Sequence, residues 1–258
     1  MSTIHPTAIV GAGARVGHDC YVGPYCVVGD GVVLGERVRL ESHCVVDGLT
    51  EIGDDTHVYP FASVGLASQD LKYHGEPTRT RLGRRVRVRE FVTVHRGTEG
   101  GGGLTSVGDD CLLMAQAHVA HDCVVGDRVI MANGATLAGH VEVSEGANVG
   151  AYSGVHQFCR VGREAYVGGY SVVVKDALPF SLTVGNHARC YGLNHVGMKR
   201  REYPQAAIDA LRHAFHLLLS SKLNTTQAVA AIREEIAGSA EVELLLRFIE
   251  TSERGVVK

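Results

Sequence analysis

A hydrophobic residue recurs at every sixth position along most of this chain, and that period leaves few folds open. Stepping by six from Ile4 reaches Val64 through an unbroken series of Val, Leu and Ile. The frame resumes over Leu82, Val88 and Val94, then runs again from Val107 to Val173 with Met131 its one methionine. Across these 26 units the fifth position is always Ala, Cys, Val, Thr or Ser, and the second is Gly in 13, so the repeat is written at three positions rather than one. A helix repeats every 3.6 residues and a strand every two, and neither yields six. The pattern predicts one short strand and one turn per unit, with large and small side chains alternately filling a narrow core. Glycine is expected to relieve the backbone at the corners. Three strands then close one triangular coil, and coils stack about 4.8 Å apart. The expected fold is a β-solenoid, a parallel β-helix of hexapeptide repeats.

Composition agrees with a thin, repetitive core: tryptophan is absent, aromatics are 6%, and glycine reaches 32 residues. A net charge of −3 gives no global positive field for nucleic acid. No apolar run approaches membrane-spanning length, and no charged leader with a long apolar stretch precedes Ile4. A cytoplasmic location is expected. Six of the seven cysteines (Cys20, Cys26, Cys44, Cys111, Cys123, Cys159) occupy fifth positions, which makes them small core residues rather than disulfide partners or metal ligands. Only Cys190 lies outside the frame.

Two insertions, Asp70 to Arg81 and Gly100 to Ser106, interrupt the repeat, which ends after Leu178. The expected domains are a solenoid over 1–178, a connecting segment over 179–203 and a helical domain over 204–258. Pro204 suits a first helical residue, followed by an apolar stripe of Ile208, Leu211, Phe215, Leu218 and Leu219. Asn224-Thr225-Thr226-Gln227 has the form of a capping box before Val229, Ile232 and Ile236. A third helix is expected after Ser239, carrying Leu244, Leu245, Phe248 and Ile249.

Counting units in threes stacks those of Val64, Val94, Val119, Leu137, Val155 and Val173 on one face. Along this column fall His95, His121, His140 and His156, with His118 just before its third unit, and both insertions leave at the column's end. Loops leaving a rigid scaffold beside a polar cluster are common places for function. Three readings of the histidines compete: surface polarity, a metal site, and general-base catalysis. A γ-class carbonic anhydrase, a trimeric β-solenoid, binds zinc through three histidines. Zinc needs converging ligands, and His118-Val-Ala-His121 lacks that family's wider histidine pair, so no metal and no cofactor are called for. A neutral imidazole suits deprotonation of a hydroxyl. Asp122 follows His121 directly and can orient it only if the backbone turns a corner there, because neighbouring side chains on a strand face opposite ways.

Several motifs resemble those of the UDP-N-acetylglucosamine O-acyltransferases of lipid A biosynthesis. They are His118-Val-Ala-His121-Asp122-Cys123, Asn133-Gly-Ala-Thr-Leu-Ala-Gly139-His140, Val155-His156-Gln157-Phe158, Gln69-Asp70-Leu71-Lys72-Tyr73, Gly75-Glu76-Pro77-Thr78-Arg79, His95-Arg96-Gly97-Thr98 with Gly101-Gly102-Gly103-Leu104-Thr105, and Gly185-Asn186-His187-Ala188. The likeness runs from His5 into the C-terminal helices. It implies a left-handed coil, a homotrimer with sites between subunits, and transfer of a (3R)-hydroxyacyl chain from acyl carrier protein to the 3-hydroxyl of UDP-N-acetylglucosamine. It further implies His121 as general base, Asp122 as its orienting partner and the Gly139 N–H as oxyanion donor. By the same resemblance Asp70, Lys72, His118, His140, His156 and Gln157 line the sugar-nucleotide and acyl pocket, Asn194, Arg200 and Arg201 meet the nucleotide, and Gly169 limits acyl length. Two positions depart from the family: Val196 stands where a glutamate is frequent near the nucleotide, and Ala151 replaces a frequent glycine. The related N-acyltransferase carries an N-terminal domain for which repeats beginning at Ile4 leave no room. A 3-amino sugar acceptor and a purely structural solenoid remain alternatives on sequence alone.

Overall fold

The computed structural model describes residues 1–258 and contains three sheets of eleven, nine and eight strands, parallel throughout except for the last strand of the first. Consecutive strands enter different sheets and every third strand returns to the same one, so the chain winds as a three-sided parallel coil. Most strands are two residues long. The second residue of each is the hexad's first position, and it points inward: Val22, Leu40, Val58, Val88, Leu113 and Met131 are all fully buried. The framed cysteines are also buried and unpaired. The thiols of all but Cys159 point at corner carbonyls, as Cys123 Sγ does at Ala138 O. The nine-stranded sheet contains the column read from the sequence, with Ser63–Leu66, Thr93–His95, His118–Val119, Thr136–Leu137, Gly154–Val155 and Val172–Val173 side by side.

The corners are built differently from the sequence expectation. The left-handed residue is the hexad's fourth, and it is seldom glycine: Arg37, Asp55, Arg85, Asp110, Asp122 and His140 all have φ near +60°. Most second-position glycines keep ordinary φ. They are small because the next coil passes against them: a Cβ on Gly17 would sit 2.3 Å from Gly35 O, and one on Gly150 would sit 2.6 Å from the Gly168 carbonyl carbon. Close stacking selects glycine there, rather than backbone freedom.

The insertions are also shorter than the frame suggests. Arg79–Leu82 and Leu104–Val107 are four-residue strands in register with each other and with Leu49–Ile52. Thr50, Thr80 and Thr105 fill the inward slots of these longer strands, which returns residues to the sheet before the hydrophobic frame resumes. The loops that remain cover residues 67–78 and 96–103.

Beyond Leu178 the first sheet continues. Ser181–Gly185 pairs in parallel with Tyr166–Val167, and Ala188–Leu193 folds back on it as an antiparallel hairpin. Four helices follow: α1 (His195–Arg200), α2 (Gln205–Leu219), α3 (Thr225–Glu235) and α4 (Ala240–Glu250). Pro204 is the residue before α2 rather than its first, with ψ of 140°. Asn224 and Gln227 form both bonds of the capping box, and Ser239 caps α4. The helices have their own core, in which Ile208, Leu211, Phe215, Leu218, Ile232, Leu245 and Leu246 pack with Leu178 and Phe180. On α4 it is Leu245, Leu246 and Ile249 that are buried, while Leu244 and Phe248 lie at the margin. Arg160 ties the two parts together. Its guanidinium bonds Asp176 and the Phe248 carbonyl and lies over the Phe248 ring.

Candidate active site

At His121-Asp122 the backbone turns the corner between the nine- and eight-stranded sheets. Asp122 has φ of 60°, the conformation that lets two adjacent side chains converge. His121 Nδ1 donates to Asp122 Oδ2 at 2.8 Å, and the Asp122 side chain is wholly buried. The carboxylate is held from the other side by the second insertion. Thr98 donates its N–H to Oδ1 at 2.8 Å and its hydroxyl to Oδ2 at 2.6 Å, while the Asp122 N–H donates to Thr105 Oγ1. Gly101 closes over the pair so tightly that a Cβ there would lie 2.0 Å from Asp122 Cγ. A carboxylate fixed in this way holds its imidazole in one tautomer and one orientation.

The far side of the His121 ring rests on the next coil. A Cβ on Gly139 would fall 2.6 Å from His121 Nε2, so only glycine leaves the ring its place. The Gly139 N–H makes no backbone hydrogen bond within the chain. Other third-position amides share that property, but only Gly139 lies under the ring.

His140 crosses His121 edge to face at 5.1 Å, with Nε2 3.9 Å from Asp122 Oδ2, and Phe158 stacks on it at 4.4 Å. Below, on the sheet face, His118 meets the buried His95 edge to face at 5.1 Å and shares a 2.6 Å hydrogen bond with Thr93 Oγ1. Burial pushes the His95 imidazole down to about 4, and the neighbouring His118, His121 and Arg96 add to it. Burial likewise lowers His118 and His140, although Asp122 partly opposes this at His140. These imidazoles are therefore neutral at neutral pH. The ligand atoms of His121, Asp122 and His140 lie within 4.8 Å of one another, close enough for a metal ion. Asp122 Oδ2 already accepts from His121 and Thr98 and Oδ1 accepts from the Thr98 N–H, so an ion would compete for a carboxylate that is already engaged.

The remaining sequence candidates fall in three places. Asp70 lies in the first loop within electrostatic reach of the corner. The Lys72 N–H bonded to its carboxylate lowers its pKa, burial opposes that, and His121 and His140 add smaller lowering contributions. Lys72 itself is exposed, and its only bond to Asp70 is through the backbone. His156 and Gln157 are exposed two coils above His121, and Arg254 Nη2 stands 3.2 Å from His156 Nδ1. Gly169 sits on a different corner, where a Cβ would meet Ala151 O at 3.3 Å.

Asn194, Arg200 and Arg201 are on another face altogether. With Val196, Ile130, Asn148 and Tyr166 they line a cavity of about 530 Å³ against the eleven-stranded sheet. Asn194 caps α1 and bonds the Glu164 carbonyl, and Arg201 pairs with Glu164 and bonds Gly146 O. Arg200 is exposed. Sequence reasoning quoted Thr98, Thr105 and Phe158 within motifs but gave them no role. Their contacts span separate coils, which no local pattern reveals.

A chain of stacked hexapeptide coils with a histidine–carboxylate corner is a hexapeptide-repeat transferase, and the family model described as bacterial transferase hexapeptide (six repeats) matches residues 1–36, 13–48 and 105–139. The model described as UDP N-acetylglucosamine O-acyltransferase, domain 2, matches residues 176–257. Among solved structures, LpxA from Acinetobacter baumannii is 41% identical with a TM-score of 0.96, the match covering 99% of each chain. The UDP-N-acetylglucosamine acyltransferase of Francisella novicida is 31% identical with a TM-score of 0.96, covering 99% of this chain and 94% of that one. The UDP-N-acetylglucosamine O-acyltransferase of Moraxella catarrhalis is 39% identical with a TM-score of 0.94 and 99% coverage of both. The chain belongs to the UDP-N-acetylglucosamine O-acyltransferase family: it is an acyltransferase on a left-handed parallel β-helix with a C-terminal helical domain.

Proposed function

We propose that this enzyme transfers a (3R)-hydroxyacyl chain from acyl carrier protein to the 3-hydroxyl of UDP-N-acetylglucosamine, the opening step of lipid A biosynthesis, and that it works as a cytoplasmic homotrimer. The observation that carries the mechanism is the His121 ring, held through Nδ1 by Asp122 and lying over Gly139. In this reading His121 Nε2 takes the proton of the sugar 3-hydroxyl as its oxygen attacks the thioester carbonyl. The Gly139 N–H donates to the developing oxyanion. As the carbon–sulfur bond breaks, the proton passes from Nε2 to the departing thiolate, leaving an ester and a free thiol. Asp122 keeps the imidazole aligned and stabilises it while it carries the proton. Asp70, Lys72, His118, His140, His156 and Gln157 border the same corner and hold the sugar nucleotide and acyl chain.

The trimer is supported by the division of the candidate residues. The cavity with Arg200 and the histidine corner lie on different faces of one chain, so a second copy is needed to bring them to one substrate. No helix of the chain is long and apolar enough to cross a membrane. Incubating the purified protein with UDP-N-acetylglucosamine and hydroxyacyl carrier proteins of several lengths should give a 3-O-acyl sugar nucleotide. If no donor length acylates the 3-hydroxyl the proposal fails, and product formed only with a 3-amino acceptor would replace the ester with an amide.

A further inference from the structure

Three acids are buried in this chain: Asp122, Asp176 and Glu164. Asp122 serves His121, and Asp176 is held by Arg160 and Ser252. Glu164 belongs to neither set. It is the fourth residue of its hexad, on a left-handed corner with φ of 55°. Its carboxylate lies against the coil below, where a Cβ on Gly146 would collide with Oε1. A carboxylate taken out of water needs a partner. That partner is Arg201, whose Nε stands 2.7 Å from Oε2. Arg163 and Arg128, the other cations acting on it, are both paired with Glu145. Burial raises the Glu164 carboxyl above the ordinary glutamate range, and Arg201 is the strongest influence opposing that.

Glu164 also reaches the other end of α1. Asn194 is the N-cap of that helix and Arg201 its C-cap. Asn194 Nδ2 donates to Glu164 O at 3.0 Å. One corner residue thus holds both ends of a six-residue helix, with its carbonyl at one end and its carboxylate at the other. Arg201 is fixed a second time, by Nη2 donating to Gly146 O at 3.1 Å. Nε and one Nη2 hydrogen are therefore turned back to the corner, and Nη1 makes no hydrogen bond within the chain. Arg201 and Arg200 both line the cavity of about 530 Å³, whose walls include no aspartate or glutamate. Glu164 stands behind Arg201 and outside those walls, so it does not meet a ligand there itself. Paired guanidinium groups without an acid beside them suit a diphosphate. A guanidinium already held in place loses less freedom when the phosphates arrive than one that must be captured from solvent. We infer that Glu164 is a positioning residue of the nucleotide site, which fixes Arg201 and both ends of α1 so that the guanidinium is preset for the diphosphate of the sugar nucleotide. This rests on the proposed sugar-nucleotide acceptor.

The test measures calorimetric binding of UDP and of uridine, which lacks the phosphates, to the wild type, Glu164→Asn, Arg201→Gln and the double variant. Asparagine tolerates a left-handed corner and is too short to reach Arg201, and circular dichroism should show a folded chain. Glu164→Asn should weaken UDP about tenfold, the order of one contact to a charged group, and leave uridine unchanged. In the Arg201→Gln background the same substitution should cost UDP nothing further. Glu164→Gln keeps the length and an acceptor without the charge, and should fall between the wild type and Glu164→Asn. Gln116 already sits on such a corner with φ of 63°, so Glu164→Gln carries the comparison if Glu164→Asn does not fold. In turnover the KM for UDP-N-acetylglucosamine should rise while kcat holds, because uniform binding is what is lost. Equal UDP affinity in the wild type and both Glu164 variants would overturn the inference. So would equal weakening of UDP and uridine, or a further loss when Arg201 is already gone, since either would make Glu164 a support of the fold only. If UDP binds with the expected pattern but no donor is turned over, the positioning role stands and the reaction is wrong. A wild type that binds neither UDP nor UDP-N-acetylglucosamine removes both.

Discussion

His121 differs from the four histidines around it in what it touches. His118 bonds Thr93 and meets the buried His95 edge to face, His140 is stacked on Phe158, and His156 faces Arg254. Only His121 has one nitrogen fixed by a buried carboxylate and its ring over a glycine of the next coil. Replacing it by alanine should reduce kcat by about 10²–10⁴-fold, the usual contribution of a general base, with an unchanged circular dichroism spectrum. A variant retaining more than a tenth of the rate would show that the base lies elsewhere. His95 supports a different prediction, about stability. Its folded pKa of about 4 is below its ordinary 6.5, so the folded state binds fewer protons than the unfolded state. Its contribution is complete above pH 6.5 and is lost as pH falls toward 4, amounting to about 2 kcal/mol between pH 7 and 5. Urea midpoints across that range should fall less steeply for His95→Gln than for the wild type. Equal slopes would mean that His95 is not the group responsible. The sequence located these residues because a period of six fixes which units stack. It could not show that Asp122 reaches His121, because that depends on one left-handed backbone angle and on Thr98, 24 residues away.

At the scale of coils, the frame of large and small inward residues was legible to the residue, and so was the face that carries the histidines. The reason for the glycines was not. The spacing announces a small residue without saying whether φ or a neighbouring coil requires it. Gly139 is a sharp case, since its neighbour is the imidazole of His121, the proposed base. In Gly139→Ala the new methyl group must push a side chain rather than backbone, so the solenoid should remain folded while His121 swings off Asp122. Turnover should fall nearly as far as in His121→Ala, and proton resonances of the imidazole should report loss of the 2.8 Å contact; full activity would show that the ring has room to spare. Gly169 is the gentler counterpart on another corner. Its φ is ordinary, its surface is exposed, and the Cβ contact of 3.3 Å to Ala151 O is tight but tolerable. Gly169→Met should therefore fold. If the acyl tail ends there, kcat/KM across a chain-length series should shift toward shorter donors, because overpacking costs about 1–3 kcal/mol against about 0.8 kcal/mol gained per buried methylene. An unchanged length profile would leave Gly169 a corner residue only. The hairpin after Leu178 was illegible for a related reason: it extends the first sheet with antiparallel pairing and without the hexad, so the period that reveals every other strand is silent there.

At the scale of the whole molecule, the proposed function requires two half-sites on separate faces to serve one reaction. The corner of His121 and the cavity of Arg200 are fixed on one rigid solenoid with different sheets between them, and no hinge within a continuous β-coil could fold one onto the other. A closed ring of three identical chains resolves this if each corner meets the neighbour's cavity, which is a heterologous interface repeated around a threefold axis. Sedimentation equilibrium should then give three times 27.5 kDa, but mass alone does not show that sites are shared. Subunit mixing does. His121→Ala chains retain Arg200, and Arg200→Glu chains retain His121, so each homotrimer should be nearly inactive for a different reason. When the two are unfolded together in equal amounts and refolded, an interface with the first chain's cavity against the second chain's corner contains both intact halves. Random assembly places that combination at about a quarter of the interfaces, so the mixture should recover about that fraction of wild-type activity, while the variants refolded separately and then combined without exchange should recover none. A mixture no more active than its parents would mean that His121 and Arg200 act within one chain or that Arg200 is not part of the site. The activity of the Arg200→Glu protein alone then distinguishes these, since it stays high only if Arg200 lies outside the site, and a monomer of full activity would exclude the shared site outright.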